Sequence, residues 1–194
     1  MKKIFLSILM VTAVQITNAQ NKSQVSLVNG IEVYILSEPV RDYEVVHSVG
    51  RGNQWLRPFN GERNLTESIE TKVENYIKRL RKYCDKKGIA FDAVIYSTGK
   101  QMDAIKFTDL KTPENDRISI INNIDGISFF VMSIPIDNYE FIKKIGRGIK
   151  FTNSKNLIVH DLMKFAKRAK KESKYNTYNA IIYYHGKTVD LIKI

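Results

Sequence analysis

The chain has 194 residues, with 31 Lys and Arg against 20 Asp and Glu, a formal net charge of +11 and a single cysteine, Cys84. One cysteine excludes an intrachain disulfide and a structural zinc site built on cysteines, so stability has to come from burial, for which this length suffices. The excess of positive charge directs attention to anionic partners.

The first residues, MKKIFLSILMVTAVQITNAQ, combine a basic start (Lys2, Lys3), an apolar run over 4–14 and small residues at Thr17 and Ala19. This pattern predicts a secretory signal peptide over residues 1–19, cut between Ala19 and Gln20. The apolar run is shorter than the roughly 20 residues that span a bilayer, so no transmembrane segment is expected in the mature chain. No cysteine lies near the cut, so a lipoprotein is not expected. The protein is expected to be exported, periplasmic or secreted. Loss of Lys2 and Lys3 lowers the net charge from +11 to +9. Outside the cytoplasm no nucleic-acid partner is expected; anionic lipids, acidic glycans or no particular partner are the natural readings.

Residues 20–107 form a first unit. Ile31, Val33 and Ile35 alternate with Glu32 and Tyr34, the period of a half-buried strand. Ser37-Glu38-Pro39 turns the chain, because proline cannot serve a central ladder. A second strand over 43–49 ends at Gly50-Arg51-Gly52, where the glycines are expected to permit a turn or bulge. The loop NQWLRPFNG follows, with Trp55 and Phe59 as candidate binding residues on a long loop. Asn64 and Glu67 make a capping-box pattern. Ile69, Val73, Ile77, Leu80 and Cys84 recur at helical spacing up to Gly88, predicting a helix over about 65–87. A strand from Ala93 to Tyr96, a turn at Gly99-Lys100 and a strand over 103–107 complete the unit.

Residues 108–119 read as a polar linker containing Pro113, and 120–194 as a second unit with a helix over about 155–174, marked by Ile158, Leu162, Phe165 and Ala169. The second unit repeats the first. Residues 126–148 align with 30–52 at an offset of 96, matching Gly, Ser-x-Pro, Tyr-Glu and the whole Gly-Arg-Gly triplet, here Gly146-Arg147-Gly148. Residues 180–194 align with 93–107 at an offset of 87, pairing Lys100 with Lys187 and Asp103 with Asp190. The change of offset places nine extra residues in the first copy, mostly around 53–64. The apolar segments at 25–28 and 118–121 suggest one further leading strand per copy. The expected fold is α+β: two tandem ββαββ repeats, each an antiparallel sheet covered on one face by a helix, packed as a pseudo-twofold pair.

The segments flanking the helices, Tyr43 to Val49-Gly50 with Phe91-Asp92-Ala93-Val94-Ile95, and Tyr139 to Ile145-Gly146 with Tyr178-Asn179-Ala180-Ile181-Ile182, resemble the YbjQ-like superfamily. That resemblance implies a dodecin-subunit-like fold, an antiparallel sheet with a helix over one face. The group includes oligomeric proteins of unknown function, some described as heavy-metal binders, and an envelope stress-sensing lipoprotein. The paired cysteines and lipid anchor of the last are absent here.

Catalytic patterns are thin. His47, His160 and His185 are not duplicated; His47 has Lys143 as its repeat partner, and none has metal-ligand spacing, so surface histidines and no metal site are expected. Cys84 lies on the apolar helix stripe and reads as a buried structural thiol. Asp103 and Asp190 each follow a hairpin turn and read as turn residues. No nucleophile elbow occurs. No cofactor, no catalytic residue and no enzyme are expected. Both helices are strongly basic, with Lys72, Lys78, Arg79, Arg81, Lys82, Lys86 and Lys87 on the first and Lys164, Lys167, Arg168, Lys170, Lys171 and Lys174 on the second. These cations read either as a solvated face that complements the helix dipole or as a contact surface. The function expected is that of a non-enzymatic binding or scaffolding module of the periplasm or envelope, with a protein partner or homo-oligomerisation left open. One alternative is a small-ligand carrier or enzyme with a cleft between the repeats, lined by Arg51, Arg147, Lys100 and Lys187. The other is a binder of anionic envelope polymers through the basic helix faces.

Overall fold

A computed structural model describes residues 21–50, 69–96, 101–124, 126–146, 165–168, 170–171, 177–183 and 188–194. In the first half these form β1 (Lys22–Val25), β2 (Leu27–Val28), β3 (Ile31–Ile35), β4 (Ser37–Pro39), β5 (Tyr43–Gly50), α1 (Ile69–Lys87), β6 (Ala93–Tyr96) and β7 (Gln101–Phe107). The second half gives β8 (Ile118–Ile121), β9 (Asn123–Ile124), β10 (Ile127–Val131), β11 (Ser133–Pro135), β12 (Glu140–Gly146), β13 (Ala180–Tyr183) and β14 (Thr188–Lys193). Residues 165–168, 170 and 171 are helical. The proposed signal peptide and the capping box lie outside the described residues, and β8 begins inside the segment read as a linker.

Three sheets result: β2-β3-β6-β7-β5, β9-β10-β13-β14-β12, and a four-stranded sheet β11-β1-β8-β4. The expectation of two ββαββ repeats with antiparallel sheets, packed as a pseudo-twofold pair, is thereby overturned. The described residues are mostly strand. Its five-stranded sheets are mixed, because β3 pairs parallel with β6 and β10 parallel with β13. The physical reason is the path taken by the Ser-x-Pro segments. Each is a strand of the four-stranded sheet, and the chain then returns at the far edge of its five-stranded sheet as β5 or β12. The crossover through the helix lays the next strand beside β3 or β10, and a crossover of this kind yields a parallel neighbour. A parallel pair inside such a sheet is covered on both faces. Accordingly every residue of β3 and of β6 is buried, including Glu32 and Tyr34, which the alternating pattern had placed outward.

Local signals fix the ends of these elements. Asn29 and Gly30 both take positive φ (52° and 80°) in the two-residue loop joining β2 to β3, as a type I′ hairpin requires. Gly88, at φ 67°, closes α1: its amide donates to the Asp85 carbonyl, and the Ile89 amide donates to that of Cys84, a Schellman pair of bonds. Edge strands β5 and β12 each carry a bulge against their neighbours, between Val45 and His47 and between Phe141 and Lys143.

The four-stranded sheet joins the halves. At its centre β1 and β8 run antiparallel with Ser23 opposite Ser119, and their hydroxyls hydrogen-bond at 2.6 Å, fully buried. Pairing is symmetric about this point: β4 of the first half lies on β8, and β11 of the second half lies on β1. Each half thus lends a strand to the other. The chain changes sheets at Leu36 and Met132, buried residues held at φ 53°. Around them, Leu36 and Met132 amides donate to the Tyr96 and Tyr183 carbonyls at 3.3 and 2.8 Å. One core runs through both halves, containing Val33, Ile35, Ile77 and Leu80 of the first and Phe129, Val131, Phe165 and Ile181 of the second. The opposite faces form two smaller clusters, Tyr34, Ala93, Ile95 and Ile105 with Val25 of β1, and Phe130, Ala180, Ile182 and Ile192 with Ile121 of β8.

The serine pair is open to a double-mutant cycle. Ser23→Ala strands a buried hydroxyl on Ser119 and should cost about 1–3 kcal/mol in urea unfolding. Ser23→Ala with Ser119→Ala should cost clearly less than the sum of the two single changes. Additive losses would mean that the two hydroxyls are not coupled.

Candidate functional site

The most distinctive surface is the outer side of α1. Its apolar stripe, Val73, Tyr76, Ile77, Leu80 and Cys84, is buried against the core, which fixes the opposite side toward solvent. That side exposes Lys78, Arg79, Arg81, Lys82, Tyr83, Lys86 and Lys87. Across 78–87 the only acid is Asp85.

These cations divide into two groups. Arg79 donates to the carbonyl of Gly50 and lies over the Tyr76 ring, its guanidinium carbon 5.2 Å from the centroid. Arg81 donates to the Asn29 carbonyl at 2.7 Å. Both arginines tie the helix to strand ends and have structural work. Lys78, Lys82 and Lys86 recur every fourth residue and so form one ridge along the helix. Among the described residues none of the three pairs with a carboxylate. Beside the ridge, the His47 ring of β5 stacks on Tyr83 at a centroid distance of 3.7 Å and an interplanar angle of 5°. Tyr83 is 40% exposed, so the stack lies at the surface. In the second helix Lys167, Arg168, Lys170 and Lys171 are exposed as well.

Two further pairs of ionisable groups, Glu32 with Tyr34 and Arg41 with Asp109, lie wholly or partly in the interior. Tyr34 donates to Glu32 at 2.7 Å, and burial first, then this bond, hold its hydroxyl far above the ordinary tyrosine range. Arg41 donates from Nε to Asp109 Oδ1 at 3.0 Å and from Nη2 to the Asp109 carbonyl at 2.9 Å, with its guanidinium 3.8 Å from the centroid of Phe107. This network pins the segment between the halves. It has no counterpart in the second half, where Phe130 and Ser128 stand for Tyr34 and Glu32, and Ser128 bonds Asn21 and Asn123 instead.

Every residue read from the sequence as a binding candidate, Arg51, Trp55, Phe59, Lys100, Arg147 and Lys187, lies outside the described residues, as do His160 and His185. Gly50 is the last residue of β5, has no positive φ, and a side chain placed there would meet open space, so backbone geometry does not require glycine there. Asp103 lies within β7, where Ser48 and Gln101 donate to its Oδ1 at 2.5 and 2.7 Å, and Asp190 lies within β14, with Lys144 Nζ at 3.6 Å. Neither is a turn residue, and they belong to different sheets. Cys84 is free and buried, and burial pushes its thiol up. What sequence reasoning missed is the His47–Tyr83 stack, which joins residues 36 positions apart and leaves no local signal.

Among the described residues no cluster of three or more His, Cys, Asp or Glu side chains could hold a metal ion. No described helix is long and apolar enough to cross a membrane. No protein-family model matches the chain, and neither a curated protein nor a solved structure matches it significantly.

Burial raises the hydroxyls of Tyr34, Tyr43 and Tyr178 above their usual range. In the unfolded chain these groups ionise near pH 10. Their contribution to stability is complete below that value and is lost as pH rises through it. The urea midpoint should therefore fall between about pH 9 and about pH 11. A midpoint that stayed level would contradict the buried tyrosines.

Proposed function

We propose that the protein is an exported, non-enzymatic binding module that holds anionic envelope polymers against the basic outer faces of its helices. The observation that carries this reading is the unpaired lysine ridge Lys78, Lys82 and Lys86. Helix-dipole complementarity accounts for Lys86 and Lys87 in the last turn of α1, but the effect fades within that turn and leaves Lys78 and Lys82 unexplained. A membrane surface fits less well. An interfacial helix presents apolar side chains outward, whereas the apolar stripe of α1 is spent in the core. Export rests on the pattern of residues 1–19, and the absence of enzymatic activity on the thin catalytic patterns of the sequence. The alternative of a cleft between the repeats depends on Arg51, Arg147, Lys100 and Lys187, and draws no support from the described residues. The reading does not draw on the motif-level likeness to the YbjQ-like superfamily.

A scaffolding role has one separate observation in its favour. Val45 and Phe141, at matching positions on the edge strands β5 and β12, are 55% and 56% exposed. Exposed apolar residues on open sheet edges suit a protein partner or self-association. Sedimentation velocity should then detect concentration-dependent oligomers that Phe141→Lys abolishes; a monomer at all concentrations would remove the self-association arm.

For the main reading, dextran sulfate is a suitable probe. Binding should weaken steeply as salt screens the contact. Lys82→Gln with Lys86→Gln should weaken it about ten-fold with unchanged thermal unfolding. Wild-type affinity in that variant would sink the assignment to α1.

A further inference from the structure

We infer that the outer face of the four-stranded sheet is a contact surface for a second copy of this chain, packed face to face about a twofold axis along β8. The inference is independent of the polyanion reading and uses a different surface from the β12 edge. Ser23 and Ser119 are buried and point inward, so their neighbours along each strand point outward. Register sets these outward residues in two rows across the sheet. One row is Ile134, Gln24, Ile118 and Val40. The other is Ile136, Lys22, Ile120 and Glu38. At the repeat offset of 96, Lys22, Gln24, Glu38 and Val40 of the first half correspond to Ile118, Ile120, Ile134 and Ile136 of the second. Every outward position of the second half is thus isoleucine, and Ile134 and Ile136 are 43% and 49% exposed. Strand propensity acts on both halves alike and does not account for a surface that is apolar in one half only.

The edges of this sheet are closed to strand addition, which leaves the face. The Ile136 amide donates to the Lys22 carbonyl, and the Val40 amide donates to the Ile118 carbonyl. The alternate residues Pro135 and Pro39 therefore turn their nitrogens to the outside of β11 and β4, where proline has no N–H to offer. On the face, Lys22 and Glu38 flank Ile120 in one row, about 10 Å apart across it. Both are exposed, and among the described residues neither forms an ion pair. A twofold axis along β8 lays β8 on β8 of the second copy and exchanges β1 with β4. Ile118 and Ile120 then meet their own counterparts, and Ile134 falls at the margin beside Val40 of the second copy. The same operation brings Lys22 of each copy to Glu38 of the other. One rotation thus matches the charges twice, as an isologous contact requires. This reciprocal complementarity is what selects a second copy of the chain as the occupant. The face is only four short strands wide, about 19 Å, so the dimer belongs with small, weak interfaces. The helices lie on the other side of the five-stranded sheets, and their basic sides stay free in it.

The test is sedimentation velocity in a Phe141→Lys background, which removes the β12 edge contact and keeps the two modes of association apart. The protein should pass from monomer to dimer with a dissociation constant on the order of 100 μM. Lys22→Glu should weaken the dimer about ten-fold by setting carboxylates against each other at both contacts. Lys22→Glu combined with Glu38→Lys should restore it to within about two-fold of the starting value. Ile120→Thr keeps a β-branched side chain and should weaken association about five-fold with unchanged thermal unfolding. A monomer at up to about 1 mM would overturn the inference. So would a charge-swapped double variant as weak as Lys22→Glu alone, because Lys22 and Glu38 would then not meet. Loss of thermal stability in Ile120→Thr with no effect on association would mean that the face is covered within the chain, and would overturn it as well. None of these outcomes bears on dextran sulfate binding, so the polyanion reading stands or falls separately.

Discussion

The antiparallel pairing of β1 with β8 about Ser23 and Ser119 is the constraint on which the rest of the molecule depends. It forces each Ser-x-Pro strand to pair with the opposite half, and so forces the chain out of one sheet and into another at Leu36 and Met132. A bulky residue in the left-handed region costs roughly 1–2 kcal/mol. The expense is tolerated because the surroundings over-determine it: both side chains are buried, both amides are bonded to the neighbouring sheet, and the Met132 carbonyl accepts from Ser26 as the Leu36 carbonyl accepts from Asn122. Remove the exchange and the faces carrying Tyr34 and Phe130 lose their cover.

That exchange also limits where a ligand can be met. Each five-stranded sheet has one face in the shared core and the other against β1 or β8, so the central strands offer nothing to solvent. What remains on the described surface is the outer side of the helices, the edge strands and the outer face of the four-stranded sheet, where Lys22, Gln24, Glu38 and Ile134 are exposed. Of the charged groups in the interior, Glu32 is bonded by Tyr34 and Arg41 is bonded to the half-buried Asp109, which suits a fixed joint better than a site. Their absence from the second half follows from sequence: Asp137 occupies the position matching Arg41, and with no buried acid to satisfy, Phe130 needs no hydroxyl.

Parts of this were legible from residues alone. The helix α1, its buried stripe and its stop at Gly88 followed from spacing and from the positive φ that glycine permits. Strands β3, β6, β10 and β13 were visible as apolar runs, but alternation in Ile31-Glu32-Val33-Tyr34-Ile35 misled, because Tyr34 is both aromatic and buried and Glu32 is sheltered by its hydroxyl. The four-stranded sheet was not legible. Its pairings join residues about a hundred positions apart, and Ser37-Glu38-Pro39 looks like a turn whether or not a partner strand waits in the other half. Pro39 is admissible because β4 is an edge strand. The hairpin at Asn29-Gly30 went unread, because the two-residue strand before it is too short to show periodicity. The basic face of α1 was visible as composition; its division into bonded arginines and a lysine ridge needed the contacts.

That division is what separates the binding reading from simple solvation. Lysines four residues apart repel, each pair costing an isolated helix about 0.2–0.5 kcal/mol; Glu74, four residues before Lys78, and Asp85, three after Lys82, offset part of that repulsion along the ridge without forming an ion pair with it. Here stability comes from Val73, Ile77 and Leu80 in the core, which lets the outer side carry an unfavourable arrangement. Nothing inside the described fold benefits from it: the ridge holds no loop and pairs with no acid. An anion laid along Lys78, Lys82 and Lys86 would relieve the repulsion that remains, and this is the physical support for the proposed polyanion contact.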